Sequence, residues 1–91
     1  MPGYAGWYEV SSLGNVTSLS RAGTAGGPLD PQVNSRGYRV VRLSKYGTVR
    51  TVPVGRLVLL AFRGPPPRPG MRARHGPGGP RDDALVNLRW G

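Results

Sequence analysis

A Gly-Pro-Pro-Pro run, Gly64 to Pro67, sets a hard limit on helix in this chain. Proline removes a backbone donor and its ring clashes with the preceding turn. The apolar run before it, Arg56-Leu57-Val58-Leu59-Leu60-Ala61-Phe62-Arg63, is therefore confined to one or two turns. Apolar residues sit all round that run, which predicts burial, with Leu57, Leu60, Ala61 and Phe62 toward the core. Tyr38 to Ser44 and Thr48 to Val54 are rich in β-branched residues and flank Lys45-Tyr46-Gly47, the pattern of a β-hairpin. Residues 7–19 alternate more crudely about Leu13-Gly14-Asn15, with Tyr8, Val10, Val16 and Leu19 as a small apolar face, and predict a second, shorter hairpin. Residues 20–37, with Arg21-Ala22-Gly23-Thr24-Ala25-Gly26-Gly27-Pro28 near their start, have no periodicity and read as loop. Residues 64–70 read as a rigid connector to a strand at His75. Asp82 to Trp90 reads as a loop with one helical turn, its Leu85, Leu88 and Trp90 packing inward. The fold class expected is α+β: one small domain of β-hairpins with a short buried helix.

At 91 residues the core can only be modest, since a chain of this size buries about 60–65% of its unfolded surface. No apolar run is long enough to span a membrane, and the N-terminus lacks the basic and apolar regions of a signal peptide. Cysteine is absent, which excludes disulfides and thiolate metal sites. These features together predict a cytoplasmic protein. Thirteen Lys and Arg against four Asp and Glu give a net charge of +9. Such a balance favours a polyanionic partner, because cations that neutralise phosphates release condensed counterions. Compositional bias explains why all but Lys45 are arginine; it does not explain the shortage of acids. Arg39, Arg42, Lys45 and Arg50 lie on or near the main hairpin, enough for a positive ribbon that tracks a phosphate backbone. Taken singly, each could equally be a solvated strand residue.

The last eighteen residues concentrate the groups capable of chemistry. They hold the single histidine, His75, and two of the four acidic residues, Asp82 and Asp83. His75 is the one side chain here that exchanges a proton near neutral pH without help. A lone histidine is weak evidence by itself, and either aspartate could simply cap the following helical turn.

The segment from His75 to Trp90 reads His-Gly-x-Gly-Gly-x-x-Asp-Asp-x-Leu-x-Asn-Leu-x-Trp. It resembles the core of the HNH endonucleases of the homing type, His-x-Asp-Gly-Asn-x-x-Asn-Asn-x-x-x-Asn-Leu-x-Trp, with His75, Asp82, Asp83, Asn87, Leu88 and Trp90 at corresponding places. Pro2 to Leu19 is similar to the NUMOD4 motif that often precedes that core. Val54-Gly55-Arg56-Leu57-Val58-Leu59-Leu60-Ala61-Phe62 is similar to the family's Val-His-Arg-Leu-Val-x-x-Ala-Phe. The three matches follow the family's order and divide the chain into a NUMOD4-like segment, 1–36, and an HNH-like core, 37–91.

The resemblance implies a ββα-metal core with a divalent ion such as Mg²⁺ against the scissile phosphate. It makes His75 the general base and Asn87 the residue that ties the loop together and orients it. Asp82 and Asp83 are the remaining candidates for metal ligands, and Arg74 joins Arg39, Arg42, Lys45 and Arg50 as a nucleic-acid contact. The partner implied is DNA, with RNA as the alternative. Three positions depart from the pattern. Arg74 stands where the family often has an acidic or amide ligand, and a guanidinium cannot coordinate a cation. Position 55, commonly His, is Gly. The family's pattern also continues past Trp90 into a helix with a further metal ligand, whereas the chain ends at Gly91. The ligand set is thus expected to be incomplete unless a partner protein completes it. Two readings follow: a metal-dependent endonuclease, and a non-catalytic basic module that binds nucleic acid within a larger nucleoprotein.

Overall fold

The computed structural model describes residues 6–20 and 26–91. Residues 2–5 of the N-terminal motif and residues 21–25 of the expected loop lie outside the described residues. The first hairpin is present: β1 (Tyr8–Val10) and β2 (Val16–Ser18) pair antiparallel with Val10 opposite Val16. Its turn is closed by two backbone hydrogen bonds, Ser11 N to Asn15 O at 2.8 Å and Gly14 N to Ser11 O at 3.0 Å.

The stretch 20–37 is not loop throughout. It holds two short strands, β3 (Gly27–Pro28), which adds to β2, and β4 (Gln32–Val33), which adds to the main hairpin. Each is two residues long and is held by its backbone against a longer strand, so neither leaves a side-chain pattern.

The main hairpin is β5 (Arg39–Lys45) and β6 (Thr48–Pro53), joined by the two residues Tyr46 and Gly47. Both have positive φ, 51° and 79°, the requirement of the type I′ turn whose twist matches that of paired strands. Directly opposed residues share a face. Val41 opposite Val52 and Leu43 opposite Arg50 therefore define the inner face, and Arg42 opposite Thr51 the outer.

The helix, α1 (Val54–Arg63), begins two residues earlier than the apolar run suggested and ends at Gly64. Burial is greatest in its first turns and is not all round even there, since Arg56 is exposed. Val54, Gly55, Leu57, Val58 and Leu59 are buried, Leu60 is half-buried, and Ala61 and Phe62 are exposed. The expected core positions of Ala61 and Phe62 are corrected: the helix leaves the core before its proline stop.

Two strands complete the chain. In β7 (Ala73–His75) and β8 (Leu88–Trp90), His75 stands opposite Leu88 and Ala73 opposite Trp90. A turn of 3₁₀ helix, Leu85–Asn87, leads into β8. Leu88 is buried, and Leu85 and Trp90 are half-buried against the core. The Trp90 indole donates to Gly64 O at 3.2 Å, fixing β8 to the end of α1. One cluster holds Tyr8 and Val16 from the first hairpin, Val41 and Leu43 from the second, and Val54, Leu57, Val58 and Leu59 from the helix. Among the described residues no helix is long and apolar enough to cross a membrane.

Candidate functional site

His75 sits at the end of β7, where pairing with β8 and the hydrogen bond from Gly76 N to Asn87 O at 2.8 Å fix its backbone. Its ring is held from three sides. Nε2 lies 2.7 Å from Asp83 Oδ1, the Tyr38 ring leans against it with centroids 5.3 Å apart, and Gly55 of α1 closes the third side. Nδ1 is buried without a hydrogen-bond partner.

Asp83 is 2% exposed, the one buried charged residue among those described. Burying a carboxylate is expensive unless it is paired, and both of its oxygens have partners. Oδ1 faces His75, and Oδ2 lies 3.5 Å from Arg39 Nη1. Arg39 also reaches the carbonyl of Gly14 through Nη2 at 3.4 Å. The backbone fits Asp83 closely on two sides. A Cβ at Gly14 would come within 2.9 Å of the Asp83 Cβ, and a Cβ at Gly55 within 3.0 Å of Oδ1 and 3.2 Å of His75 Nε2. Gly14 has φ of 89° as well, so glycine is required there twice over.

Asn87 staples the loop between the strands. Its Oδ1 accepts from Gly78 N at 3.0 Å, and its Nδ2 donates to Asp82 O at 2.8 Å and to Gly79 O at 3.3 Å. The residue that touches the histidine ring is Asp83; the Asn87 amide is spent on the loop. Asp82 turns to its own backbone, Oδ1 accepting from Ala84 N at 3.2 Å.

A cleft of about 460 Å³ opens beside His75. Asn34, Arg36, Tyr38, Pro53, Arg56, Arg72, Ala73 and Arg74 complete its lining, so four arginines face it and no acidic residue does.

The sequence and the fold have known counterparts. The NUMOD4 motif matches residues 1–44. Over 89 residues the chain is 35% identical to the DNA endonuclease I-HmuI of Bacillus phage SP01, covering 97% of this chain and 48% of that protein. A solved structure of DNA binding and cleavage by the HNH homing endonuclease I-HmuI matches with a TM-score of 0.83 and 34% identity, over 99% of this chain and 49% of the other. The chain is thus similar over nearly its whole length to an HNH homing endonuclease, with the NUMOD4 match at its N-terminal side. It spans about half the length of the relatives it matches.

Within this chain, the five basic residues expected on one interface are spread over several surfaces. Arg74 lies in the His75 cleft. Arg39 is half-buried at Asp83. The Lys45 ammonium lies over the Trp7 and Tyr46 rings, 5.8 and 5.5 Å from their centroids. Arg42 is on the outer face, lining a smaller hollow of about 260 Å³ that includes Asp30, while Arg50 is in register with the inner face on an exposed strand. The ribbon expected from sequence is not one surface, because the two-residue turn sets Arg42 and Arg50 on opposite faces.

Arg36, Arg56 and Arg72 were not among the expected contacts, though they share the cleft with His75. Proximity of Arg72 and Arg74 to His75 in sequence was the available signal. A metal does not fit the described donors. Asp82 and Asp83 do not assemble a centre with His75, and among the described residues no three His, Cys, Asp or Glu are grouped to hold an ion.

Proposed function

We propose that this chain binds DNA through the arginine-lined cleft, with His75 presented to a bound phosphate as the proton acceptor of an HNH-type site. The observation that carries the reading is the cleft itself: Arg36, Arg56, Arg72 and Arg74 around the single histidine, with no acidic lining residue. Arginine suits phosphate because its planar donors pair with two oxygens at once. The net charge of +9 adds long-range attraction. The matched relatives support DNA as the polyanion, since I-HmuI is named as an enzyme that binds and cleaves it.

In that reading the Asp83–His75 contact holds the ring, and the imidazole takes a proton from an attacking water. A divalent ion in such a site neutralises charge on the phosphate and the leaving oxygen. The donors described here do not fit one, and no step is assigned to it. That misfit, with Arg74 beside His75, favours a second reading: a binding module that contacts DNA without cutting it.

The test is duplex-DNA affinity against salt. Engaging about five phosphates gives a log–log slope of roughly −4 to −5. Arg72→Ala with Arg74→Ala should reduce the magnitude of that slope by about two, while Arg42→Ala on the outer face should change it less. Affinity that is flat between about 50 and 200 mM salt, or a slope untouched by the Arg72 and Arg74 changes, counts against the cleft as the interface. A supercoiled-plasmid nicking assay separates the two readings.

A further inference from the structure

We infer that Asp83 is a positioning residue that fixes the tautomer of His75, and that Gly14 and Gly55 are glycines because they form the slot that admits it. The functional consequence rests on His75 acting as proton acceptor; the tautomer itself does not.

An ionised carboxylate offers acceptors only, and a neutral imidazole carries one N–H and one bare nitrogen. With Nε2 at 2.7 Å from Asp83 Oδ1, the proton belongs on Nε2 and the lone pair on Nδ1. The other tautomer would set the Nε2 lone pair against the carboxylate. It would also leave a buried Nδ1–H donor with no partner. Arg39 Nη1 at 3.5 Å from Oδ2 is too long for a strong hydrogen bond, and it gives the second carboxylate oxygen a cationic neighbour. The carboxylate cannot drift, because the backbones of Gly14 and Gly55 enclose it on two sides. The bare nitrogen is therefore Nδ1, whose ring lines the arginine cleft. Nδ1 is buried in this structure, so for it to act as a base the cleft must open to it when substrate binds.

Arg39 approaches Asp83 from β5 with Gly14 O beyond it, Tyr38 leans on the ring, α1 contributes Gly55 beside the pair and Arg56 in the cleft, and Arg36, Arg72 and Arg74 line the same cleft as the ring. None of these competes with Asp83 for Nε2.

The experiment is ¹⁵N NMR of the histidine ring in the full chain, in alkaline buffer where imidazoles are neutral. With a single histidine the assignment is immediate. The expected wild-type spectrum has Nε2 protonated and Nδ1 bare. Asp83→Ala should shift the tautomer ratio toward Nδ1–H by about tenfold or more, the loss expected for a charge-assisted hydrogen bond. Gly55→Ala, which leaves Asp83 in place but drives a methyl into the pair, should move the ratio the same way and decides the matter if Asp83→Ala does not fold. A wild-type ring that is Nδ1-protonated or mixed overturns the inference, as does an unmoved ratio in a folded Asp83→Ala or Gly55→Ala chain. Because no DNA is present in this measurement, failure of the DNA-binding test would overturn the proposed function and leave the tautomer assignment standing.

Discussion

The Tyr8 hydroxyl and the backbone of Ser44 are joined twice: Ser44 N donates to it at 2.9 Å, and it donates to Ser44 O at 3.1 Å. One side chain from the first hairpin thus serves as a strand partner for β5 of the second. Tyr8 is buried, and its ring belongs to the cluster that also holds Leu43 and Leu59. Tyr8→Phe keeps the ring and removes both hydrogen bonds, leaving part-buried backbone groups without a partner. The cost expected is about 1–3 kcal/mol, read as a lower midpoint in denaturant titration with unchanged slope. An unchanged midpoint would mean that water replaces the hydroxyl at no cost and that the two hairpins are joined by apolar packing alone.

Two neighbouring leucines on α1 should behave differently. Leu59 is 1% exposed, whereas Leu60 is half-buried at the edge where the helix leaves the core. Leu59→Ala should cost about 2–5 kcal/mol, because the cavity it leaves is enclosed. Leu60→Ala should cost clearly less. Thermal melts of the two variants check this, and equal losses would place the helix in a different rotation.

The rotation of α1 is also where sequence reasoning was weakest. The run between Arg56 and Arg63 is wholly apolar, and those two arginines mark only one outward line, so composition alone assigned Leu60, Ala61 and Phe62 to the core. The hairpins were legible because they have signals of their own: β-branched runs around Tyr46-Gly47, and a polar turn at Gly14-Asn15. The His75 strand and the loop stapled by Asn87 were legible through the motif. The partners within the site were not. Arg39, Gly14, Gly55, His75 and Asp83 come from five separate places in the chain, and nothing in a carboxylate's identity says whether it meets a histidine, a metal or its own backbone. Asp83 accordingly stood as a metal candidate and Gly55 as a departure from a motif, while the structure brings them into contact. The ribbon of arginines failed for a more tractable reason. A two-residue turn at Tyr46-Gly47 pairs Lys45 with Thr48 and hence Leu43 with Arg50, which puts Arg42 and Arg50 on opposite faces.

Gly55 supports a prediction whose sign runs against helix propensity. Replacing glycine by alanine inside a helix ordinarily stabilises it by about 0.5–1 kcal/mol. Here the added methyl would lie 3.0 Å from Asp83 Oδ1, 3.2 Å from His75 Nε2 and 3.2 Å from a Leu88 methyl. Asp83 is enclosed and cannot retreat, so overpacking should dominate at about 1–3 kcal/mol. Gly55→Ala is expected to lower the melting temperature. A rise would show that the slot around Asp83 is looser than its contacts indicate.

For catalysis, the expectation is that this chain nicks DNA very weakly or not at all, even with Mg²⁺ or Mn²⁺ supplied. In the proposed function His75 is the proton acceptor, but a positioned general base contributes only about 10²–10⁴-fold. Enzymes in general accelerate their reactions by about 10⁶–10¹⁷-fold, and the remainder of a phosphodiester hydrolysis must come from stabilising charge on the phosphate. The four cleft arginines supply part of that charge. In the proposed binding mode they hold the ground-state phosphate as well as the transition state, and uniform binding of that kind tightens association without accelerating the chemical step. Oxygen donors for a cation are lacking where they are needed: Arg74 flanks His75, the Asp82 carboxylate is turned to Ala84 N, and Asp83 is shared between His75 and Arg39. The measurement is conversion of supercoiled plasmid to open circle by the wild-type chain and by His75→Ala, with and without the divalent ion. The two proteins are expected to differ little. Robust metal-dependent nicking that disappears in His75→Ala would sink this expectation. It would require Asp82 or Asp83 to exchange its present partners for the ion, or a partner chain to bring the missing ligands to the cleft.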